Sequence, residues 1–240
     1  MITEMKIVTP ARGLIILSKH SNPLLFSLAK VGMGVLGVVV ELTLECIPQL
    51  NLKEQTQVFS SQSIISEHIQ RLVSNRHVRY MWIPYTDTVV SVVSNPTTDP
   101  ITPPSSSQIN AIQPMLNLLH ELSPVTKSQP YLQNYSFAQI RDILLAVNPL
   151  DVNTIRRVNK AEEEYWQSAQ MVRVDDSAKV LGFDCGGQQL VLEVCFPIGK
   201  LKALDSISGP SKDIQFVQKL MNVSEYFILN MSIIVIILAY

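Results

Sequence analysis

Ala29-Lys30-Val31-Gly32-Met33-Gly34-Val35-Leu36-Gly37-Val38-Val39-Val40-Glu41-Leu42 is the stretch on which the fold turns. Its glycines have the G-x-G-x-x-G spacing of a dinucleotide fingerprint. That motif follows a strand and opens a helix, whose N-terminus holds the pyrophosphate. Here the order is reversed. Asn22-Pro23 starts a short apolar helix over 24–30, and the β-branched run from Val38 to Ile47, ended by Pro48, predicts a strand. A Rossmann unit is therefore excluded. The glycines still permit positive φ and close backbone approach, so exposed N–H groups there can meet a flat or anionic ligand. A tight helix-to-strand turn explains the same residues without any ligand.

Outward from this turn, residues 5–19 predict a hairpin across Pro10–Gly13. A strand is expected at 53–59, then a helix over 61–74 capped by Ser63, with Ile64, Ile65, His68, Ile69 and Leu72 on one face. Strands at 78–84 and 86–93 flank Pro84-Tyr85. Residues 95–108 are rich in Pro, Ser and Thr and read as a loop. Helices follow over 109–122, interrupted by Pro114, over 136–146 and over 153–169, where Glu162-Glu163-Glu164 reads as a solvated face. After a polar turn, 179–184 and 188–196 read as a strand pair across Gly186-Gly187, and 211–221 begins a helix. This order predicts an α+β fold with antiparallel pairing. The tail 226–240 is Ile-rich. It fits either a marginal membrane segment or an apolar strand, since a span needs about 20 apolar residues.

Composition narrows the chemistry. The 240 residues are 47% hydrophobic and 16% charged with a net charge of -1, so no basic footprint points to nucleic acid. Cys46, Cys185 and Cys195 are odd in number and lack C-x-x-C spacing, which argues against a disulfide framework and a zinc site. The four histidines, His20, His68, His77 and His120, are scattered and show no metal spacing. Met1-Ile2-Thr3-Glu4 carries an acid early and no apolar run follows directly, so no signal or transit peptide is expected in this stretch. Asp87, Asp184 and Glu193 are candidate acids or bases, though such residues more often serve as hydrogen-bonded structural acids. Tyr80, Trp82 and Tyr85 can line a pocket or pack a core.

Three longer stretches carry a resemblance: 28–44, 77–90 closing at Asn95-Pro96, and Leu181 to Gln189 followed by Cys195-Phe196-Pro197. With Val158-Asn159-Lys160-Ala161-Glu162, they resemble consecutive signatures of the L-galactono-1,4-lactone dehydrogenases, in the aldonolactone oxidase group of the vanillyl-alcohol-oxidase fold. The resemblance implies that residues 1–47 are the C-terminal remnant of an FAD-binding domain. Residues 48–221 are then an antiparallel-sheet cap domain with flanking helices, and 222–240 is an apolar tail unlike the family. It implies backbone contacts to FAD through Gly32, Gly34, Gly37, Val38 and Val39, oxidation of an aldonolactone to ascorbate, and cytochrome c as electron acceptor. It also implies a mitochondrial, inner-membrane-associated setting, with possible membrane contact through 226–240. The family's pyrophosphate loop falls before Met1. Its Glu-x-Arg pair falls beyond Met221, where Glu225 is followed by Tyr226 and Phe227. The chain is thus expected to be truncated at both ends and to carry no catalytic residue. The resemblance also leaves open a non-catalytic piece that keeps the cap surface for protein interaction, as in respiratory-complex assembly.

Overall fold

The computed structural model describes residues 1–103, 108–123, 134–182, 211–226 and 234–239. The chain splits into two compact units, Met1–Gln49 and Leu50–Tyr240. The helices and antiparallel sheets of both units make it α+β.

The first unit is a three-stranded sheet in the order β2-β1-β3, formed by β1 (Ile2–Thr9), β2 (Gly13–Ser18) and β3 (Val38–Leu44). Gly13, at φ 62°, closes the β1–β2 hairpin. Alternation puts Met5, Ile7 and Leu17 on one face, where helix α1 (Pro23–Ala29) buries Phe26 against them. Pro23 suits the first turn because its missing N–H has no intrahelical partner there anyway. The opposite face is not covered by the unit's own residues, and Val8, Leu14, Ile16 and Val38 are exposed on it.

The second unit is built on a five-stranded antiparallel sheet ordered β7-β4-β6-β5-β8. Its strands are β4 (Asn51–Ser60), β5 (His77–Trp82), β6 (Thr88–Thr97), β7 (Met171–Asp176) and β8 (Ile234–Ala239). Helix α2 (Ser61–Ser74) and helix α8 (Lys212–Tyr226) pack Ile64, Leu72, Ile214 and Val217 onto Val78, Tyr80, Trp82 and Val89. On the other face Met81, Ile83, Val90 and Val92 meet Trp166. Trp166 belongs to α6 (Val152–Ser168), which forms a helical cluster with α3 (Gln108–Ala111), α4 (Gln113–Leu122) and α5 (Phe137–Val147).

Several expectations need correction. The α2 cap is Ser60, whose Oγ accepts from the Ser63 N–H at 3.2 Å; Ser63 itself lies inside the helix. Strand β6 runs on through Asn95-Pro96 to Thr97 instead of yielding to a loop at 95. Pro96 is tolerated because β5 ends at the His77–Ser94 pair, so one side of β6 is already an edge there. The polar turn before 179 is strand β7, which pairs with β4. Residues 179–181 are helical: α7 (Ser177–Leu181) is nucleated by Asp176, which accepts from the Ala178 N–H at 2.8 Å. The remainder of that expected strand pair lies outside the described residues. Within the tail, Ile234–Ala239 is a strand paired with β5, and no helix among the described residues is long and apolar enough to cross a membrane.

The solvated reading of Glu162-Glu163-Glu164 also fails. Glu162 is 0% exposed and Glu163 is 9% exposed, because α6 is covered both by the sheet and by α4 and α5. Only Glu164 faces water. Deleting buried methylenes in this cluster is costly. Leu119→Ala, at a side chain with no exposure, is expected to lower stability by about 2–5 kcal/mol in urea denaturation. Ser136→Ala, which removes the capping box of α5, is expected to cost only about 1 kcal/mol.

Candidate functional site

The glycine turn leads from the end of α1 into β3. Its course is set by the Val35 N–H donating to the Gly32 carbonyl at 2.9 Å and the Gly37 N–H to the Gly34 carbonyl at 3.3 Å. Gly34 has φ 76° and Gly37 φ 142°, a region that side chains disfavour. At Gly37 the requirement is also steric, since a β-carbon would lie 2.2 Å from the Val8 carbonyl oxygen.

Gly32, Gly34, Gly37, Val38 and Val39 all border one hollow of about 330 Å³. Ile7, Ala29 and Leu36 complete its wall. These three were not singled out from the sequence. The available signal was the register, which sets Ile7 opposite Val39. The N–H groups of Met33, Gly34 and Leu36 have no acceptor among the described residues. Val38 is 68% exposed and Met33 94% exposed. Apolar walls with a few unspent backbone donors are the make-up of a site for a flat, partly polar ligand, and the volume lies at the low end of small-molecule sites, about 300–1,000 Å³.

The candidate acids fare differently. The Asp87 carboxylate accepts from both the backbone N–H (3.1 Å) and the hydroxyl of Ser61, so it fastens the start of α2. Asp184, Glu193, Cys185, Cys195 and the Gly186-Gly187 turn lie outside the described residues. Cys46 is free and exposed. Tyr80 and Trp82 are core residues in edge contact, with ring centroids 5.6 Å apart. Tyr85 stands apart from them, half-buried at φ 64°. No group of three or more His, Cys, Asp or Glu among the described residues is placed to hold a metal.

Two buried polar clusters were not foreseen. The His68 Nε2 lies 2.9 Å from Asp213 Oδ2, joining α2 to α8, and its Nδ1 lies 3.3 Å from the Tyr80 hydroxyl. Burial pushes the Asp213 carboxyl up, but hydrogen bonds from His68 and Ser211 outweigh it and hold the group at about 2. The second cluster joins α5 to α6. Glu162 Oε1 accepts from Trp166 Nε1 at 3.3 Å and lies 3.8 Å from an Arg141 nitrogen, while Oε2 is buried with no partner. Burial pushes Glu162 up to about 7, against the pull of Arg141 and Trp166.

Two outcomes follow. Gly37→Ala is expected to split the β1–β3 pairing, seen as lost amide protection in Met5–Val8, while leaving the second unit's transition in place. Glu162 holds its proton more tightly folded than unfolded, so its contribution is full below about pH 4.5 and is lost as pH rises through about 7. Urea midpoints should therefore fall between about pH 5 and about pH 8, and Glu162→Gln should flatten that slope.

The profile of a family described as D-arabinono-1,4-lactone oxidase matches residues 42–215. The chain is 41% identical over 232 residues to L-galactono-1,4-lactone dehydrogenase 1, mitochondrial, of Oryza sativa subsp. japonica, covering 93% of this chain and 39% of that one. It is 41% identical over 241 residues to the mitochondrial L-galactono-1,4-lactone dehydrogenase of Arabidopsis thaliana, covering 93% and 38%. With L-gulonolactone oxidase of Bos taurus the identity is 28% over 106 residues, covering 44% and 23%. The chain thus spans about two fifths of the length of the plant relatives it matches.

Proposed function

Since the chain belongs to the D-arabinono-1,4-lactone oxidase family, we propose that it is the flavin-contacting and cap-forming part of an aldonolactone oxidoreductase of the ascorbate-forming type. The observation that carries the cofactor half of this reading is the hollow at the glycine turn. Its residues fit a flavin: Ile7, Ala29, Leu36, Val38 and Val39 supply apolar walls, and the turn leaves N–H donors beside them. A β-carbon at Gly37 would distort the close approach to Val8 that shapes this wall. FAD, when bound, supplies a two-electron acceptor for oxidation of a lactone substrate.

What the chain itself contributes is binding and enclosure. The turn would hold the ring system through backbone donors, which carry no charge and do not titrate. The second unit would act as the cap, a rigid five-stranded sheet stiffened by helices on both faces. Three of the carboxylates are tied into the fold: Asp87 fastens α2, Glu163 accepts from Thr88 Oγ1 at 2.5 Å, and Glu54 pairs with Arg173 at 2.8 Å. Within this reading the boundaries 1–47, 48–221 and 222–240 separate flavin remnant, cap and tail, cytochrome c is the electron acceptor, and the setting is mitochondrial, as in the names of the plant relatives.

A second reading rests on the second unit's independent core. In it, the cap serves as a protein-interaction surface without turnover, for instance in assembly of a respiratory complex. One preparation separates the two. The first reading expects the purified chain to take up FAD, visible as protein-bound flavin absorbance after gel filtration, and to bind L-galactono-1,4-lactone. Flavin uptake without lactone binding, together with capture of respiratory assembly partners, favours the second. A chain that takes up no flavin contradicts the first reading.

A further inference from the structure

The Ile83–Thr88 turn joins β5 to β6. The Ile83 N–H donates to the Thr88 carbonyl at 3.1 Å, and the Thr86 N–H to the Ile83 carbonyl at 3.3 Å. Its one left-handed residue is Tyr85, at φ 64°. A turn alone would be served better by Gly or Asn, which reach this conformation at least cost. A bulky residue held there persists only where its surroundings over-determine it.

Helix α6 does that. Asn159, fully buried, donates from Nδ2 to the Pro84 carbonyl at 3.0 Å. Glu163 accepts from Thr88 Oγ1 at 2.5 Å and is itself held by Lys160 at 2.5 Å. Arg156 sets its guanidinium 5.1 Å from the centre of the Tyr85 ring. Arg156, Asn159 and Glu163 lie on one stripe of the helix. The helix therefore grips the turn before, at and after Tyr85.

Core packing does not account for the tyrosine. Trp82, Ile83, Pro84 and Thr88 are buried, whereas Tyr85 is half-buried and Arg156 is exposed. Arg156 has no carboxylate partner among the described residues. The pair thus offers an aromatic ring and an unspent fan of guanidinium donors, on a backbone fixed at a cost in strain. An aldonolactone is uncharged, presents a C–H face to an aromatic ring, and carries a ring carbonyl and hydroxyls that accept from a guanidinium.

We propose that Tyr85 and Arg156 form a contact pair for the hydroxylated lactone ring, with Asn159 and Glu163 as positioning residues that hold the strained turn. This rests on the aldonolactone reading above. The test is calorimetric titration of L-galactono-1,4-lactone into the full chain and its variants, beside thermal melts. Tyr85→Gly and Tyr85→Asn should melt no lower than wild type, because strain is relieved, yet bind the lactone at least roughly tenfold more weakly. Arg156→Gln should weaken binding several-fold without moving the melt. Wild-type affinity in Tyr85→Gly, with the wild type binding, overturns the pair alone. A wild type that binds no lactone overturns the aldonolactone reading and the pair together. Lower melting of both Tyr85 variants assigns the residue to packing and overturns the proposal.

Discussion

The backbone of Gly37 passes the Val8 carbonyl at a distance that leaves no room for a β-carbon. The first unit depends on this contact. It lets β3 leave the glycine turn directly against β1, so that Ile7 and Val39 become neighbours across the sheet. The hollow between that pair and the end of α1 exists only because the chain turns so tightly. A side chain at Gly37 would push β3 outward, and the wall formed by Val38 and Val39 would go with it. The same turn is also what separates this chain from a dinucleotide fold, since its glycines feed a strand rather than a helix.

In the second unit the corresponding element is α6. It is buried on more than one side, and each side has a different task. Val158, Ala161 and Tyr165 pack the helical cluster, with Tyr165 stacked on Phe137 at 4.1 Å between centroids. Glu162 sits in the same interior with a raised affinity for its proton. A buried, half-satisfied carboxyl is a poor source of stability, so its presence is a cost that the apolar packing around it offsets. Asn159 and Glu163 reach the other way and fix the β5–β6 turn. One helix thus binds the cluster to the sheet and shapes the loop where a ligand contact is proposed.

Much of this was legible in the sequence. The β1–β2 hairpin, the helix–glycine–strand order and the amphipathic α5 follow from turn residues and periodicity, which act over a few residues. What escaped was set by partners distant in sequence. Strand β7 reads as polar because its Arg173 and aspartates hide the alternation, and its strand character comes from pairing with β4, including the Arg173–Glu54 contact. The acids of α6 look solvated because a helical repeat predicts one buried face, whereas α6 has more than one. Residues 179–181 favoured strand in composition, but the Asp176 cap decided for helix. The five glycine-turn residues lie within one stretch of eight and are named through the family resemblance, and the fold sets them along one hollow. Ile7, from another strand, is not among them.

The central claim is that the glycine turn is a flavin contact, and amide chemical-shift mapping tests it most directly. Titrating flavin into the isotopically labelled chain should move the signals of Ile7, Ala29, Gly32, Gly34, Leu36, Gly37, Val38 and Val39 together, along one saturable binding curve, with the β1–β2 hairpin tip left in place. Shifts that bypass these residues, or no saturable shifts at all, would contradict it.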